Sequence, residues 1–329
     1  MSQDKSGWTV AITARERAEL VPFEVDTSPL GPREVRGRTL ASLVSAGTEL
    51  HWCYTGESFP VHPGYAAIFE VEECGAEVET LKPGDRALCM GGHRSHQRTT
   101  ADNAVRVPDN LDAQKAAFAR LMGVTMSTLV TTTARPPDLV LVTGLGPVGH
   151  LGAQIFGACG YRVVACDPSP ARREIAESTG RCGRVLPAVP KDDPAVAGHV
   201  SLALECAGHE GAALDCIGVV RKRGEVVLVG TPWRRYTDST AHDVVHAIFH
   251  RYAVVRSGWE WEVPLHGQEF RVGDLYGNLA AALEWLADGR VVVEGLYQTA
   301  APAEAQRVYQ DLLAGRWPRL AAVFDWSRL

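Results

Sequence analysis

A glycine-rich turn between a buried strand and a helix is the feature that most constrains how this chain can fold. The β-branched run 139–143 predicts a buried strand, and it leads directly into a G-x-G-x-x-G sequence and a helical pattern. The glycines let the backbone approach a pyrophosphate, while the N–H groups and positive dipole end of the helix face that anion. The pattern therefore predicts a dinucleotide site at Gly144, Gly146, Pro147, Val148 and Gly149.

An acidic residue follows at the distance expected for ribose binding. A second predicted strand, 161–166, ends at Asp167, which lies 23 positions after Gly144. A carboxylate there accepts hydrogen bonds from a ribose diol and repels a 2′-phosphate, so the sequence favours NAD over NADP. Arg172 and Arg173 follow closely and could favour a phosphate instead. We interpret them as part of a solvated helix face.

Composition indicates a globular enzyme rather than a nucleic-acid or membrane protein. Of 329 residues, 46% are apolar and 22% are charged, and the net charge of −6 leaves no basic stripe for nucleic acid. No apolar run is long enough to cross a membrane, and the opening sequence MSQDKSGWT has no signal-peptide pattern. The eight cysteines contain no C-x-x-C pair, which fits a reducing compartment. We therefore expect a cytoplasmic protein.

The pattern along the chain predicts two domains of different architecture. Up to residue 122, short β-like runs alternate with glycine and proline, and a helix is predicted over 110–132. From residue 139 strands and helices alternate, which is typical of a doubly wound parallel sheet. The tail again indicates strand, helix, strand, with its first strand at 291–296. We predict an α/β protein with a β-rich domain over 1–122 and 291–329 and a dinucleotide-binding domain over 123–290.

Several short motifs together resemble the medium-chain dehydrogenase/reductase superfamily, to which the zinc alcohol dehydrogenases belong. They are Gly47-Thr48-Glu49, Pro63-Gly64, the run Leu81-Lys82-Pro83-Gly84-Asp85-Arg86, the dinucleotide fingerprint, and the strand-end glycines Gly208 and Gly230. The resemblance implies a GroES-like catalytic domain interrupted by a Rossmann coenzyme domain, with Gly208 and Gly230 among the cofactor-binding positions. It also implies a small-molecule substrate bound in the interdomain cleft, and a homodimer or homotetramer.

The chain departs from the zinc-dependent members at the positions of their metal ligands. Ala46 and Tyr65 stand where those members have a cysteine and a histidine, and the stretch GGHRSHQRTT replaces their four closely spaced cysteines. A methyl group and a phenol do not replace a thiolate and an imidazole, so we predict that no zinc is bound. Ser-x-Gly-Thr-Glu over residues 45–49, followed by Pro63-Gly64-Tyr65, is similar to a zinc-lacking branch that includes the bacteriochlorophyllide 3-hydroxyethyl dehydrogenases.

The resemblance also implies which residues act without the metal. Thr48 and His51 match the hydroxyl and the histidine of the family's proton relay, and Tyr65 could donate a hydrogen bond to the substrate oxygen. Each has a plainer interpretation: Thr48 caps a turn, His51 is a solvated loop residue, and Tyr65 fills the vacated volume. Glu49 matches an acid beside the metal site, and we favour a structural role for it over a catalytic one.

Other polar and aromatic residues are weaker candidates for substrate contact. His93 and His96 lie in a Gly-Gly-His-x-x-His loop, for which solvent exposure is the favoured interpretation. Trp52 and Trp259 lie in predicted loops and could line a substrate cleft. Three histidines that recur every four residues share one helical face, which we interpret as amphipathic rather than metal-binding: His242, His246 and His250.

Three functions are compatible with these patterns. The favoured one is a zinc-independent, NAD-dependent dehydrogenase or reductase for a secondary alcohol and its ketone, polyol-like or biosynthetic. The second is a quinone or enoyl reductase using NAD(P)H, against which Asp167 and the relay residues count. The third is a non-catalytic NAD-binding protein.

Overall fold

The computed structural model describes residues 6–329. The chain forms two structural units and passes from one to the other more than once. Unit 1 contains the residues up to Arg120 together with 279–287 and 293–329. Unit 2 contains residues 121–278 and 288–292. Each unit has a sheet and a core of its own.

The strands are, in chain order, β1 Ser6–Ala14, β2 Arg17–Glu24, β3 Glu34–Leu43, β4 Ala67–Cys74, β5 Arg86–Cys89, β6 His96–Thr100, β7 Ala104–Arg106, β8 Leu139–Thr143, β9 Arg162–Cys166, β10 Arg184–Leu186, β11 Val200–Glu205, β12 Val220–Leu228, β13 Val254–Ser257, β14 Tyr297–Ala300 and β15 Ala321–Asp325. The α-helices are α1 Ala46–Thr48, α2 Ala113–Ala116, α3 Ala119–Thr131, α4 Pro147–Ala158, α5 Pro170–Thr179, α6 Glu210–Val219, α7 Ala241–Arg251, α8 Leu275–Ala287 and α9 Ala305–Leu313. A π-helical segment, Glu49–Tyr54, continues α1, and short 3-10 turns lie at Ala101–Asn103, Glu260–Glu262, Pro302–Glu304 and Trp326–Arg328.

Unit 2 is a doubly wound parallel sheet, as predicted. Its strand order is β10-β9-β8-β11-β12-β13, and every neighbouring pair is parallel. The residues of β8 and β11 are all buried, as expected for central strands covered by helices on both faces. Strand order reverses between β8 and β11, and α/β sheets bind ligands beside the carboxyl ends of the strands at such a point.

Unit 1 is β-rich and combines the two ends of the chain. Its main sheet has the order β14-β15-β3-β4-β5-β7, with β6 also paired to β3, while β1 and β2 form an antiparallel hairpin. One core cluster joins Ile12 of this hairpin to Tyr54, Tyr309 and Phe324. Helix α9, late in the chain, thereby places Tyr309 against residues of the N-terminal region.

Two predicted elements differ from those observed. The helix predicted over 110–132 is divided into α2 and α3. The strand predicted over 291–296 is wrong, because Gly295 has a φ of +78° and the following strand begins only at Tyr297. Val291 and Val293 are buried without forming a strand, which explains why their apolar pattern was misleading. Within residues 6–329, no helix has both the length and the apolar character needed to cross a membrane.

Candidate active site and nucleotide-binding loop

The turn after β8 has the geometry of a phosphate-binding loop. Gly144 has a φ of +83°, and a Cβ at Gly149 would lie 1.9 Å from the carbonyl oxygen of Gly144, so the turn requires glycine at both positions. A Cβ at Gly146 would meet no atom within 4 Å, which leaves this side of the loop open. Helix α4 begins at Pro147 as predicted, and its first N–H groups are suited to bind an anion.

Asp167 lies at the end of β9 and contacts this loop directly. One carboxylate oxygen accepts a hydrogen bond from the Leu145 N–H at 2.7 Å, and the other accepts one from Ser169 N–H at 2.8 Å. Arg172 Nη1 lies 3.4 Å from the same carboxylate, whereas Arg173 donates to the carbonyl oxygens of Asp167 and Pro168. Asp167 therefore fixes the loop, and the oxygen bonded to Ser169 N–H, which accepts that one hydrogen bond, retains acceptor capacity for a ribose hydroxyl. The loop and this carboxylate fit a nicotinamide dinucleotide.

Gly208 and Gly230 allow two strand-end turns to approach each other closely. A Cβ on Gly230 would lie 2.2 Å from the Gly208 backbone nitrogen, and Gly208 has a φ of +64°. The Glu205 carboxylate accepts hydrogen bonds from the backbone N–H groups of Ala207 and Gly208, and burial raises the pKa of Glu205. These glycines therefore support the sheet edge beside the phosphate loop through backbone packing.

In unit 1, three hydroxyl groups converge beside α1. Tyr65 Oη donates to Ser45 Oγ and approaches Thr48 Oγ1 at 3.4 Å. Ser45 precedes α1, and its carbonyl oxygen accepts the N–H groups of Thr48 and Glu49, so a single helical turn places Ser45 and Thr48 on one side. Burial raises the pKa of the Tyr65 phenol, and the hydrogen bonds to Ser45 and Thr48 oppose this effect.

A buried guanidinium lies over the ring of this tyrosine. Arg120, at the start of α3, is only 3% exposed, and its Cζ lies 4.8 Å from the centroid of the Tyr65 ring. This is the distance of a cation–π contact. The positive charge of Arg120 also lowers the pKa of Tyr65 against the effect of burial.

A buried polar network supports the same helical turn. The Glu49 carboxylate accepts hydrogen bonds from Ser45 N–H at 2.8 Å and from Tyr309 Oη, and it lies 3.0 Å from His93 Nε2. His93 Nδ1 lies 2.8 Å from Ser42 Oγ, which also accepts a hydrogen bond from the indole of Trp326. Glu49 thereby connects the backbone of Ser45 to the core of unit 1.

Comparison with known proteins finds similarity to dehydrogenases. A family model described as zinc-binding dehydrogenase matches residues 147–259. An alcohol dehydrogenase of Geobacillus stearothermophilus is 29% identical over 246 residues, covering 61% of this chain and 72% of the relative. These matches make the chain similar to the zinc alcohol dehydrogenase-like superfamily of medium-chain dehydrogenases/reductases.

Two solved structures of similar fold contain a nicotinamide cofactor, NAD in one and NADP in the other. The acetophenone reductase of Geotrichum candidum, in complex with NAD, has a TM-score of 0.77 at 17% identity, covering 99% of this chain and 98% of the other. A putative zinc-binding dehydrogenase of Sinorhizobium meliloti, bound to NADP, has a TM-score of 0.77 at 16% identity, covering 98% of this chain and 99% of the other. These likenesses show the fold, which consists of a GroES-like part and a Rossmann part.

The residues at which the resemblance implies a metal site do not fit a zinc ion. Ala46 has no donor atom, and the Tyr65 hydroxyl is engaged with Ser45. Both ring nitrogens of His93 have partners, and burial raises the pKa of the Cys89 thiol to about 12, which disfavours the thiolate that zinc binds. Across residues 6–329, no group of three or more His, Cys, Asp or Glu side chains is arranged to hold a metal.

The structure separates the other predicted site residues. His93 is fully buried, so the favoured interpretation of a solvated loop residue is wrong, and a buried ring with both nitrogens bonded is not placed to contact substrate. His96 begins β6 beside Ser95 Oγ and lines a groove of about 280 Å³ with Arg36 and Arg98. His51 is half-buried in the π-helical segment.

Both tryptophan candidates are exposed. Trp52 of unit 1 is 68% exposed, and Trp259 of unit 2 is 70% exposed. Neither of these rings is enclosed in a pocket of its own unit. Their predicted contact with substrate stays a prediction.

Sequence reasoning missed two neighbours of Tyr65. Ser45 was predicted only as part of a motif. Its spacing of four residues from Glu49 allows the Glu49 carboxylate to accept a hydrogen bond from the Ser45 N–H. Arg120 was not predicted as a site residue, and a basic residue within the apolar helix α3 was the available signal.

Proposed function

We propose that this protein is an NAD-dependent, zinc-independent dehydrogenase that interconverts a secondary alcohol and its ketone. The observation that carries the proposal is the Tyr65 hydroxyl, which is held by Ser45 and Thr48 at a position where the resemblance implies a metal ligand. NAD held by the loop at Gly144, Gly146 and Gly149 would supply the hydride acceptor for alcohol oxidation, and NADH would supply the hydride donor for ketone reduction. The motif over residues 45–49 shared with the zinc-lacking branch supports this assignment.

The residues of unit 1 act on the oxygen of the substrate. With substrate bound, the phenol turns its single O–H from Ser45 Oγ to the carbonyl or alcohol oxygen, where negative charge develops as the hydride moves, and Ser45 Oγ donates to Tyr65 Oη instead. Ser45 Oγ and Thr48 Oγ1 fix the direction of the phenol, and the relay implied for Thr48 and His51 carries the proton toward solvent. Hydrogen bonding thus replaces the Lewis acid of zinc members.

Absence of a functional metal is the first testable consequence. Protein produced with added zinc should contain substoichiometric zinc, and its NAD-dependent turnover should survive prolonged treatment with a strong chelator, because the Tyr65 hydroxyl is engaged with Ser45 and Ala46 offers no side-chain donor. Elemental analysis and turnover measured on the same sample test this. One zinc per chain, lost together with activity, would contradict the proposal.

Cofactor choice is the second consequence. Replacing Asp167 with Ala should weaken NAD binding by roughly ten- to a hundredfold and narrow the difference from NADP, since a hydrogen bond to a charged group contributes about 1.5 to 3 kcal/mol. Asp167→Asn is the matched control, because it keeps an acceptor but removes the charge that repels a 2′-phosphate. Dissociation constants for both cofactors can be measured by calorimetry.

The opposite result has a specific interpretation. If the wild type already prefers NADP, Asp167 does not exclude the 2′-phosphate, and Arg172, whose guanidinium lies 3.4 Å from that carboxylate, becomes the residue that binds it.

A panel of substrates separates the remaining functions. A quinone or enoyl reductase should reduce those compounds with NADPH and should not depend on the Tyr65 hydroxyl. A non-catalytic protein should bind NADH normally and oxidise it with no acceptor in a panel of ketones, quinones and enones.

We also propose that the protein is a homodimer or homotetramer. Strand β13 lies at one end of the unit 2 sheet, and Val254 on it and Phe249 on α7 are exposed apolar residues. Edge strands of a sheet and exposed apolar patches favour association with another chain. Light scattering should give a mass above that of one chain, and Val254→Lys should reduce it. A monomeric mass across the accessible concentration range would contradict this.

A further inference from the structure

Arg120 places a positive charge in a largely desolvated position of unit 1. Its side chain is 3% exposed, although a guanidinium is costly to remove from water. Its Cζ lies 4.8 Å from the ring centroid of Tyr65, the residue to which the proposed function assigns the central hydrogen bond. A buried cation stacked on the proposed donor calls for a functional explanation.

We propose that Arg120 is a positioning residue whose guanidinium, stacked on Tyr65, supplies the positive charge that makes the Tyr65 hydroxyl a strong hydrogen-bond donor to the reacting oxygen. The inference rests on the proposed function, because it assumes that Tyr65 is that donor. In this proposal the Arg120 guanidinium, acting through the Tyr65 ring, supplies the positive charge that zinc supplies in the zinc-dependent dehydrogenases.

The physical argument concerns where charge develops. As the Tyr65 hydroxyl gives proton density to the substrate oxygen, negative charge spreads from Oη into the ring. A cation over the ring face is attracted more strongly to this charged form than to the neutral phenol. The contact therefore strengthens as the reaction proceeds, which is the condition for an interaction to accelerate it.

The other groups around Tyr65 fit this role. Burial raises the pKa of Tyr65, and the nearby charge of Glu49 raises it further, while the bonds to Ser45 and Thr48 and the charge of Arg120 lower it. Glu49 is itself engaged by His93 and Tyr309. Arg120 is the cation among these groups that contacts the Tyr65 ring.

The test measures the ionisation of Tyr65 directly in the substrate-free protein. Biosynthetic labelling with 3-fluorotyrosine gives a fluorine NMR signal for each of the eight tyrosines. The fluorinated phenols are more acidic than those of ordinary tyrosine. The Tyr65 signal is identified as the one that is lost in Tyr65→Phe. Arg120→Met should raise the pKa of Tyr65 by about one to three pH units, the usual effect of losing an adjacent opposite charge. In Arg120→Lys, which keeps the positive charge, the pKa of Tyr65 should remain near that of the wild type.

A matched control uses a second stacked arginine. Arg234 lies over the ring of Tyr236 at 4.6 Å in unit 2, so Arg234→Met should leave the Tyr65 titration unchanged. Arg120→Gln is a second neutral variant in case Arg120→Met does not fold, as judged by circular dichroism. A Tyr65 pKa that is the same in a folded neutral variant and in the wild type overturns the inference.

Turnover distinguishes this inference from the proposed function. With both correct, the neutral variants lower turnover, the pH dependence that is abolished in Tyr65→Phe moves to higher pH, and Arg120→Lys restores part of the rate. An unchanged Tyr65 titration together with an inactive Tyr65→Phe overturns the role of Arg120 and keeps the proposed function. A shifted titration with a fully active Tyr65→Phe overturns the donor assignment, and with it the catalytic role of Arg120.

Discussion

Replacing Tyr65 with Phe should lower turnover by about a hundred- to a thousandfold while leaving NAD affinity nearly unchanged. The substitution keeps the ring and removes only the hydroxyl that Ser45 and Thr48 hold in place. Loss of one preorganised donor at a developing oxyanion costs about 2.7 to 4 kcal/mol of barrier. Steady-state turnover of a ketone panel and calorimetric titration with NAD measure the two quantities separately.

A matched control is available in unit 2. Tyr161 Oη donates to the Ala134 carbonyl oxygen at 3.0 Å, so Tyr161→Phe also removes one phenolic hydrogen bond, but from the coenzyme-binding fold. It should cost about 1 kcal/mol of stability and little turnover. If Tyr65→Phe stays within about threefold of the wild-type rate, some 0.7 kcal/mol of barrier, Tyr65 only fills space and the search for the donor moves to His51 and His96.

Replacing Glu49 with Ala should destabilise the protein by about 3 to 5 kcal/mol, since each buried polar group left without a partner costs about 1 to 3 kcal/mol. The variant leaves His93 Nε2, Tyr309 Oη and the Ser45 N–H without their shared acceptor. Urea-induced unfolding followed by circular dichroism measures the loss. Glu19→Ala, at a surface ion pair with Arg17, is the control and should leave stability nearly unchanged.

The same network gives a pH dependence with a definite sign. Burial opposes ionisation of Glu49, but His93 and the hydrogen bonds from Tyr309 and Ser45 hold the pKa of this carboxyl below its usual value. A lowered pKa in the folded state means that its stabilisation is present above the pKa of the unfolded carboxyl, about 4.3, and is lost as the pH falls through the folded value. Glu49→Gln should fold and lack this part of the acid sensitivity. A Gln variant as acid-sensitive as the wild type would assign the effect to other groups.

Local sequence determined most of the nucleotide-binding half. The strand at 139–143, the glycine turn and the helix beginning at Pro147 are a contiguous pattern, and each element follows from the conformational preferences of neighbouring residues. Asp167 was found for the same reason, because one β-α-β unit fixes its distance from Gly144. The strand predicted over 291–296 failed where Gly295 adopts a left-handed conformation that hydrophobic periodicity does not reveal.

The candidate catalytic centre depends on contacts that periodicity cannot encode. By itself the sequence determined the residue types there: Ala46 and Tyr65 in place of zinc ligands, and Thr48 and Glu49 beside them. Only the tertiary structure decided their partners, since Tyr309 meets Glu49 across 260 positions of chain and His93 meets it across 44. The hydrogen bonds and charge of such pairs act over a few ångströms in space, so their partners are set by how the sheet and helices pack and not by spacing along the chain.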